Sequence, residues 1–188
     1  MINEIEYKII VKDNNHFLEN IEFKGFKEDY FVIQSLVSDW KPNHIFEIGT
    51  CTGNGTRLIN HASPNSKITT IDIVPNRGEM CPSSVVKLCG DSMNFNFEEH
   101  YPIDCWFIDG AHTYENVYKE TTEAIKSEAK YIIYHDADLD QVVNGLIDSF
   151  KFNKKINDYT LYQVVNPPFI YSSTGKNITR VLYAIKKN

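Results

Sequence analysis

The chain has no dense cluster of positive charge. Its 19 Lys and Arg stand against 25 Asp and Glu over 188 residues, for a formal net charge of −6, and no basic run is longer than Lys154-Lys155 or Lys186-Lys187. Binding a phosphate backbone needs a concentrated basic footprint, so the balance argues against nucleic acid and favours a small-molecule partner. Long apolar runs are also missing. No stretch approaches a membrane span, and Met1 to Lys12 alternates charge with isoleucine instead of building a signal peptide. The expectation is a cytoplasmic protein with no membrane partner. Cysteine is sparse: Cys51, Cys81, Cys89 and Cys105 show no C-x-x-C spacing, which disfavours a structural zinc site. Cys89 and Cys105 lie in or beside apolar strand-like runs, the setting of buried free thiols. Internal repeats and low-complexity segments are absent.

What remains is ordinary globular composition, 42% hydrophobic and 23% charged, expected to form one domain over residues 1–188. From His44 onward, apolar runs alternate with helix-like segments, the pattern of a doubly wound α/β sheet. Strands are expected at His44 to Ile48, Ile68 to Ile71, Val85 to Leu88, Cys105 to Ile108 and Tyr131 to Tyr134, each rich in the residues of strands buried on both faces. Helices are expected at Gly55 to His61, Tyr114 to Ser127 and Leu139 to Phe150. Thr113 is placed to cap the second of these, with Asn116 where a full capping box has Glu. Tyr159 to Val165 and Thr179 to Ile185 read as further strands around a Pro167-Pro168 loop. Glu22 to Trp40 reads as an amphipathic helix preceding the first core strand. Met1 to Asn20 is open between a hairpin, a dimer arm and a mobile end, and a homodimer is left open with it.

The richest segment is Phe46 to Thr56, FEIGTCTGNGT. An apolar run ending in Glu47, Gly49, Gly53 and Gly55 is how a sheet presents bare backbone to a nucleoside-like ligand. The loop lacks the lysine of a phosphate-binding loop and misses the G-x-G-x-x-G spacing of dinucleotide sites. An acid two residues before the first glycine suits a ligand carrying positive charge. Ligands of such sheets lie beyond the carboxyl ends of the strands, and four of the five runs end near an acid: Asp72, Asp91, Asp109 and Asp136. Asp72 follows Gly49 by roughly 20 residues, the interval at which a carboxylate reaches ribose hydroxyls.

FEIGTCTGNGT resembles the first motif of the Rossmann-like (class I) S-adenosylmethionine-dependent methyltransferases, in the E-x-G-x-x-x-G variant of small metal-dependent O-methyltransferases. Trp106 to Glu120 is similar to the IDG-x-H-x-Y-E signature of a group of small O-methyltransferases and antibiotic-sugar tailoring enzymes. The resemblance runs from about Asn43 to Asp138. It implies a mostly parallel sheet of about seven strands, helices on both faces and a terminal antiparallel pair. It implies S-adenosylmethionine as cofactor, held by Glu47, Gly49, Thr50, Gly53, Gly55, Thr56, Asp72, Ile73, Asp91 and Ser92, with Glu47 facing the methionine ammonium and Met93 beside the base. It implies His112 as the base that takes a hydroxyl proton, with Asp109 beside the methyl donor. In metal-dependent relatives, residues at Asp109, His135 and Asp136 hold a divalent ion such as Mg²⁺ or Mn²⁺. His135 departs from the usual oxygen or amide ligand there, and imidazole suits Zn, Mn, Fe or Ni better than Mg. Asp138 is available as a further oxygen. Acceptor specificity is left to the amino-terminal segment, the Val74 to Ser84 loop, the loop with Phe169 and Tyr171, or a partner subunit. The expected activity is methylation of a small-molecule hydroxyl. The alternatives are a catalytically silent binding module or partner subunit of the same fold and, less favoured by the loop spacing, a nicotinamide-dependent oxidoreductase.

Overall fold

The computed structural model describes residues 2–6, 27–165 and 178–187. Among the described residues, eight strands and four α-helices follow one another as β1 (Ile2–Glu6), α1 (Lys27–Trp40), β2 (His44–Ile48), α2 (Asn54–Ala62), β3 (Lys67–Asp72), β4 (Val86–Cys89), β5 (Cys105–Ile108), α3 (Tyr114–Lys126), β6 (Tyr131–Tyr134), α4 (Asp140–Phe152), β7 (Tyr159–Val165) and β8 (Ile178–Lys186). A 3-10 turn, Phe97–His100, precedes β5.

All eight strands join one sheet in the order β1-β7-β8-β6-β5-β2-β3-β4. Neighbours from β6 through β5, β2 and β3 to β4 are parallel. Only β8 runs against the rest, paired antiparallel with both β6 and β7. The reversal of strand order lies between β2 and β5, which are adjacent although β3 and β4 intervene in sequence. That switch point opens a crevice at the carboxyl ends of the strands.

The period of two along each central strand divides the core. Phe46, Ile48, Trp106, Ile108 and Ile132 face one layer with Val117, Ala124 and Ile125 of α3 and Val142, Leu146 and Phe150 of α4. Ile45, Cys105, Phe107 and Ile133 face the other, against Val32, Ile33, Leu36 and Val37 of α1 and Ile59 of α2. Every residue of β2, β5 and β6 is buried. Burying a side chain of this size contributes about 1.5–3 kcal/mol. α3 and α4 cross closely because Gly145 has no side chain: a Cβ there would stand 2.8 Å from the Tyr114 carbonyl oxygen. Thr113 caps α3, its Oγ1 accepting the Asn116 backbone N–H at 3.3 Å.

β2, β5, β6 and β7 coincide with their expected spans, and the other matched elements differ by one or two residues at an end. One reading needs correction. β4 is an edge strand with only β3 as a neighbour, so it is not buried on both faces: Val86 is 43% exposed and the Cys89 thiol is exposed, whereas Cys105 is buried as expected. The mostly parallel sheet of about seven strands is as expected, and Ile2–Glu6 adds one more at the edge by pairing parallel with β7. The helix expected from Glu22 is described from Lys27. The stretch 7–26 and the Pro167-Pro168, Phe169 and Tyr171 loop lie outside the described residues. No helix among the described residues is long and apolar enough to cross a membrane.

Candidate functional site

A cavity of about 960 Å³ opens at the carboxyl ends of β2, β3, β4, β5 and β6. Its wall begins with the turn after β2. Gly49 adopts φ +98°, and a Cβ there would stand 2.0 Å from the Asp109 carbonyl oxygen. Gly53, at φ +87°, would meet Cys81 Sγ at 2.6 Å, and Gly55 would meet the Tyr30 ring at 3.0 Å. The glycines are thus required first by the chain's own neighbours, which crowd this turn, and only then leave its backbone bare. Gly49, Thr50 and Gly55 line the cavity, whereas Gly53 and Thr56 stand behind it. Thr50 Oγ1 pairs with Thr70 Oγ1 at 2.7 Å, fixing the turn to β3.

Glu47, on β2, is 1% exposed yet lines the cavity. Its Oε2 accepts the Thr56 hydroxyl at 2.5 Å. Burial pushes its pKa up to about 8, against the pull of that hydroxyl. The folded carboxyl therefore keeps its proton up to about pH 8, while the unfolded one releases it near 4.5. Through this group, stability falls as pH rises across that window.

The strand-end acids first organise loops. Asp72 Oδ2 accepts the Cys51 N–H at 2.8 Å and Oδ1 the Val74 N–H at 2.9 Å, joining the Gly-rich turn to the end of β3. Asp91 Oδ1 accepts the Met93 N–H and Oδ2 the Asn94 amide, both at 3.0 Å. Both carboxylates line the cavity and each oxygen keeps a lone pair for a ligand donor. Ile73, 66% exposed, lines it beside Asp72. Ser92 also lines it, but its hydroxyl points the other way, donating to Glu120 at 2.6 Å. Met93 is 36% exposed.

Beside the Gly-rich turn, the loops after β5 and β6 bring two acids and two histidines together. One donor atom from each of Asp109, His112, His135 and Asp136 lies within 4.8 Å of all the others. His112 Nε2 is 3.0 Å from Asp136 Oδ2 and 3.4 Å from Asp109 Oδ1. His135 Nδ1 is 3.0 Å from Asp136 Oδ2 and 3.2 Å from Asp109 Oδ1. Burial alone would raise the Asp109 carboxyl; the His112 and His135 imidazoles beside it outweigh burial and hold the group below the usual carboxylate range. Burial alone would lower His135, but hydrogen bonds to Asp109 and Asp29 hold it above the usual range. The backbone at Asp136 is left-handed, φ +52°.

The cluster fits a divalent ion on donor chemistry, two carboxylates and two imidazoles. His112 Nε2 is buried and forms no hydrogen bond despite the carboxylate at 3.0 Å. A buried nitrogen without a hydrogen bond, among two carboxylates and a second imidazole, fits a cluster whose donors are held for an ion.

Three further residues complete this end of the site. Tyr30 of α1 donates its hydroxyl to Asp109 Oδ2 at 3.2 Å and stacks on His135, ring centroids 5.7 Å apart. Asp29, fully buried, has Oδ2 3.2 Å from His135 Nε2 and accepts the Arg180 backbone N–H through Oδ1. The Arg180 guanidinium contacts Asp136, and its Nε is 3.3 Å from Asp138 Oδ1. None stands in a short motif. Only the pairing of β8 with β6 and the packing of α1 deliver them, so no local pattern in the sequence could have found them. His112 itself, though in the cluster, is not on the cavity wall; Gly110 and Ala111 are.

Residues 46–137 match a family model described as a methyltransferase domain. No curated protein sequence matches the chain. Among solved structures, the O-methyltransferase TomG from Streptomyces achromogenes, involved in tomaymycin synthesis and solved with S-adenosylmethionine, superposes with a TM-score of 0.67 at 16% identity, covering 93% of this chain and 86% of that one. An O-methyltransferase from Bacillus cereus in complex with S-adenosylhomocysteine gives 0.65 at 17% identity, covering 92% and 86%. The MycE methyltransferase of the mycinamycin biosynthetic pathway, solved with Mg, S-adenosylhomocysteine and mycinamycin VI, gives 0.59 at 14% identity; the match covers 84% of this chain but 49% of MycE. The fold is that of the class I S-adenosylmethionine-dependent methyltransferases.

Proposed function

We propose that this chain is an S-adenosylmethionine-dependent methyltransferase that methylates a hydroxyl of a small molecule. The observation that carries the reading is one cavity lined both by a buried carboxyl, Glu47, at the Gly-rich turn and by Asp109, His135 and Asp136 of the neighbouring acid and histidine cluster. The two groups of residues match the two halves of the reaction. Glu47 and the turn receive the methionine part of the donor, while Asp72 and Asp91 offer acceptor oxygens to the ribose and the base. At the cluster, the acceptor hydroxyl gives its proton to His112 Nε2 as its oxygen attacks the sulfonium methyl. The carbon–sulfur bond breaks and its electron pair stays on sulfur, leaving a neutral thioether. Asp109 and Asp136 stabilise the imidazolium that forms. Asp109, His135 and Asp136 would hold a divalent ion, which when bound lowers the pKa of an acceptor hydroxyl and orients it. The sulfonium is an activated donor, so the protein's contribution is positioning and proton removal.

Calorimetric titration with S-adenosylhomocysteine, in EDTA and then with Mg²⁺ or Mn²⁺ restored, tests the reading. Micromolar binding is expected, weakened about tenfold or more in Asp72→Ala, which loses charge-assisted bonds to two loops and to the ligand. Lack of binding by the wild-type protein would remove the proposal. A dependence on the metal separates ion-assisted from purely general-base chemistry.

Glu47 supplies a second test. Pairing with the ligand ammonium favours the charged carboxylate, which at pH 7 is about nine-tenths protonated in the free protein if its pKa is about 8. Binding is expected to release close to one proton per site. The apparent enthalpy should therefore vary with the ionisation enthalpy of the buffer, and Glu47→Gln should abolish that variation. The same enthalpy in every buffer would rule out the pairing.

A further inference from the structure

Glu120 is a side chain for which the proposed chemistry has no use. It lies on α3 one turn beyond Asn116, which lines the cavity, and is fully buried. Its Oε1 accepts the Ser92 hydroxyl at 2.6 Å and stands 3.6 Å from where a Cβ on Gly110 would be. Its Oε2 is buried and has no hydrogen-bond partner among the described residues.

A carboxyl in this state destabilises a fold, since a buried polar atom without a partner has lost water and gained nothing. Burial raises its pKa to about 7, opposed by the Ser92 hydroxyl and by His112 and reinforced by Asp91. An apolar side chain would fill the space at less cost. Departures of this kind concentrate where position matters more than stability. Glu120 bonds one of the loops that wall the cavity and lies near a second. Ser92 belongs to the loop after β4, and Gly110 to the loop after β5 that continues to His112.

We propose that Glu120 is a positioning residue of the cofactor site, holding the Asp91-Ser92 loop against α3 and the Gly110 turn in the shape that receives the nucleoside base. The proposal rests on the methyltransferase reading. It accounts for the inward Ser92 hydroxyl: that group is used to shape the wall, and the loop backbone and Asp91 face the ligand. It also joins the cofactor wall to the loop carrying His112 through a single side chain.

The test separates stability from binding. Glu120→Leu removes the unpaired oxygen and is expected to melt at the wild-type temperature or above it, yet to bind S-adenosylhomocysteine about tenfold more weakly. Glu120→Gln keeps a carbonyl for Ser92 and should restore affinity to within about threefold of wild type. Ser92→Ala, a small change that leaves the helix intact, should weaken binding by about as much as Glu120→Leu and supplies the test if the leucine variant does not fold. If either Glu120→Leu or Ser92→Ala bound as tightly as wild type, the proposal would be overturned. So would an affinity that only follows the melting temperature across the three variants. Absence of binding by the wild-type protein would instead count against the methyltransferase reading itself.

Discussion

Alanine in place of His112 is expected to slow methyl transfer by about 10²–10⁴-fold, the usual contribution of a positioned general base, while S-adenosylhomocysteine affinity stays within about twofold. The split follows from the geometry. His112 is off the cavity wall, 32% exposed at its side chain, and its Nε2 faces Asp109 and Asp136 rather than the Gly-rich turn. Its loss removes a proton acceptor but no part of the cofactor wall. The measurement is single-turnover transfer from labelled S-adenosylmethionine to a panel of hydroxyl compounds, beside calorimetry of the same variant. Unchanged transfer would show that His112 is not the base. Loss of cofactor affinity together with transfer would show that it supports the wall instead. Wild-type protein that binds cofactor but transfers no methyl group to any acceptor would favour a silent binding module.

Gly49→Ala should be the most damaging single methyl group in the described chain. The new Cβ would lie 2.0 Å from a backbone carbonyl oxygen, on a residue already at φ +98°. No side-chain rotation relieves either problem, so β2 and β5 must separate where they meet the cavity. A left-handed backbone costs a non-glycine residue about 1–3 kcal/mol, and the overlap adds to it. Melting is expected to fall by several degrees or more and cofactor binding to be lost. Gly55→Ala is the control: its Cβ meets an aromatic ring at 3.0 Å and a carboxylate oxygen at 3.2 Å, both able to shift by a few tenths of an ångström. Equal damage from the two would mean that the turn does not depend on the contact between Gly49 and Asp109.

The core was legible where burial dictates the residues. β2, β5 and β6 are short apolar runs because both of their faces are covered, and their ends coincide with the composition change. β4 misled because VVKLC has the same composition while sitting at an edge; composition reports propensity, not the number of neighbours. The four strand-end acids were visible because a parallel sheet brings all carboxyl ends to one edge. Their partners in the structure were not. Asp29, Tyr30 and Arg180 reach the cluster over sequence separations that no window spans. Glu120 reads in sequence as one more charge on an amphipathic helix, and only its burial marks it out.

The antiparallel strand has a consequence for how the protein is made. β8 is the latest of the eight strands to be synthesised, yet it lies between β6 and β7 and supplies their only link. A chain still emerging from the ribosome can pair β2 to β6, but β7 and β1 have nothing in that sheet to join until β8 is out. Domains tend to fold as they emerge; here the sheet is closed from its middle, and last. The same strand carries Arg180 to Asp136, so the acid and histidine cluster takes its final form only at that step. A nascent or prematurely ended chain would therefore carry the Gly-rich turn and the Asp72 and Asp91 loops before the acid and histidine cluster gains its Arg180 contact.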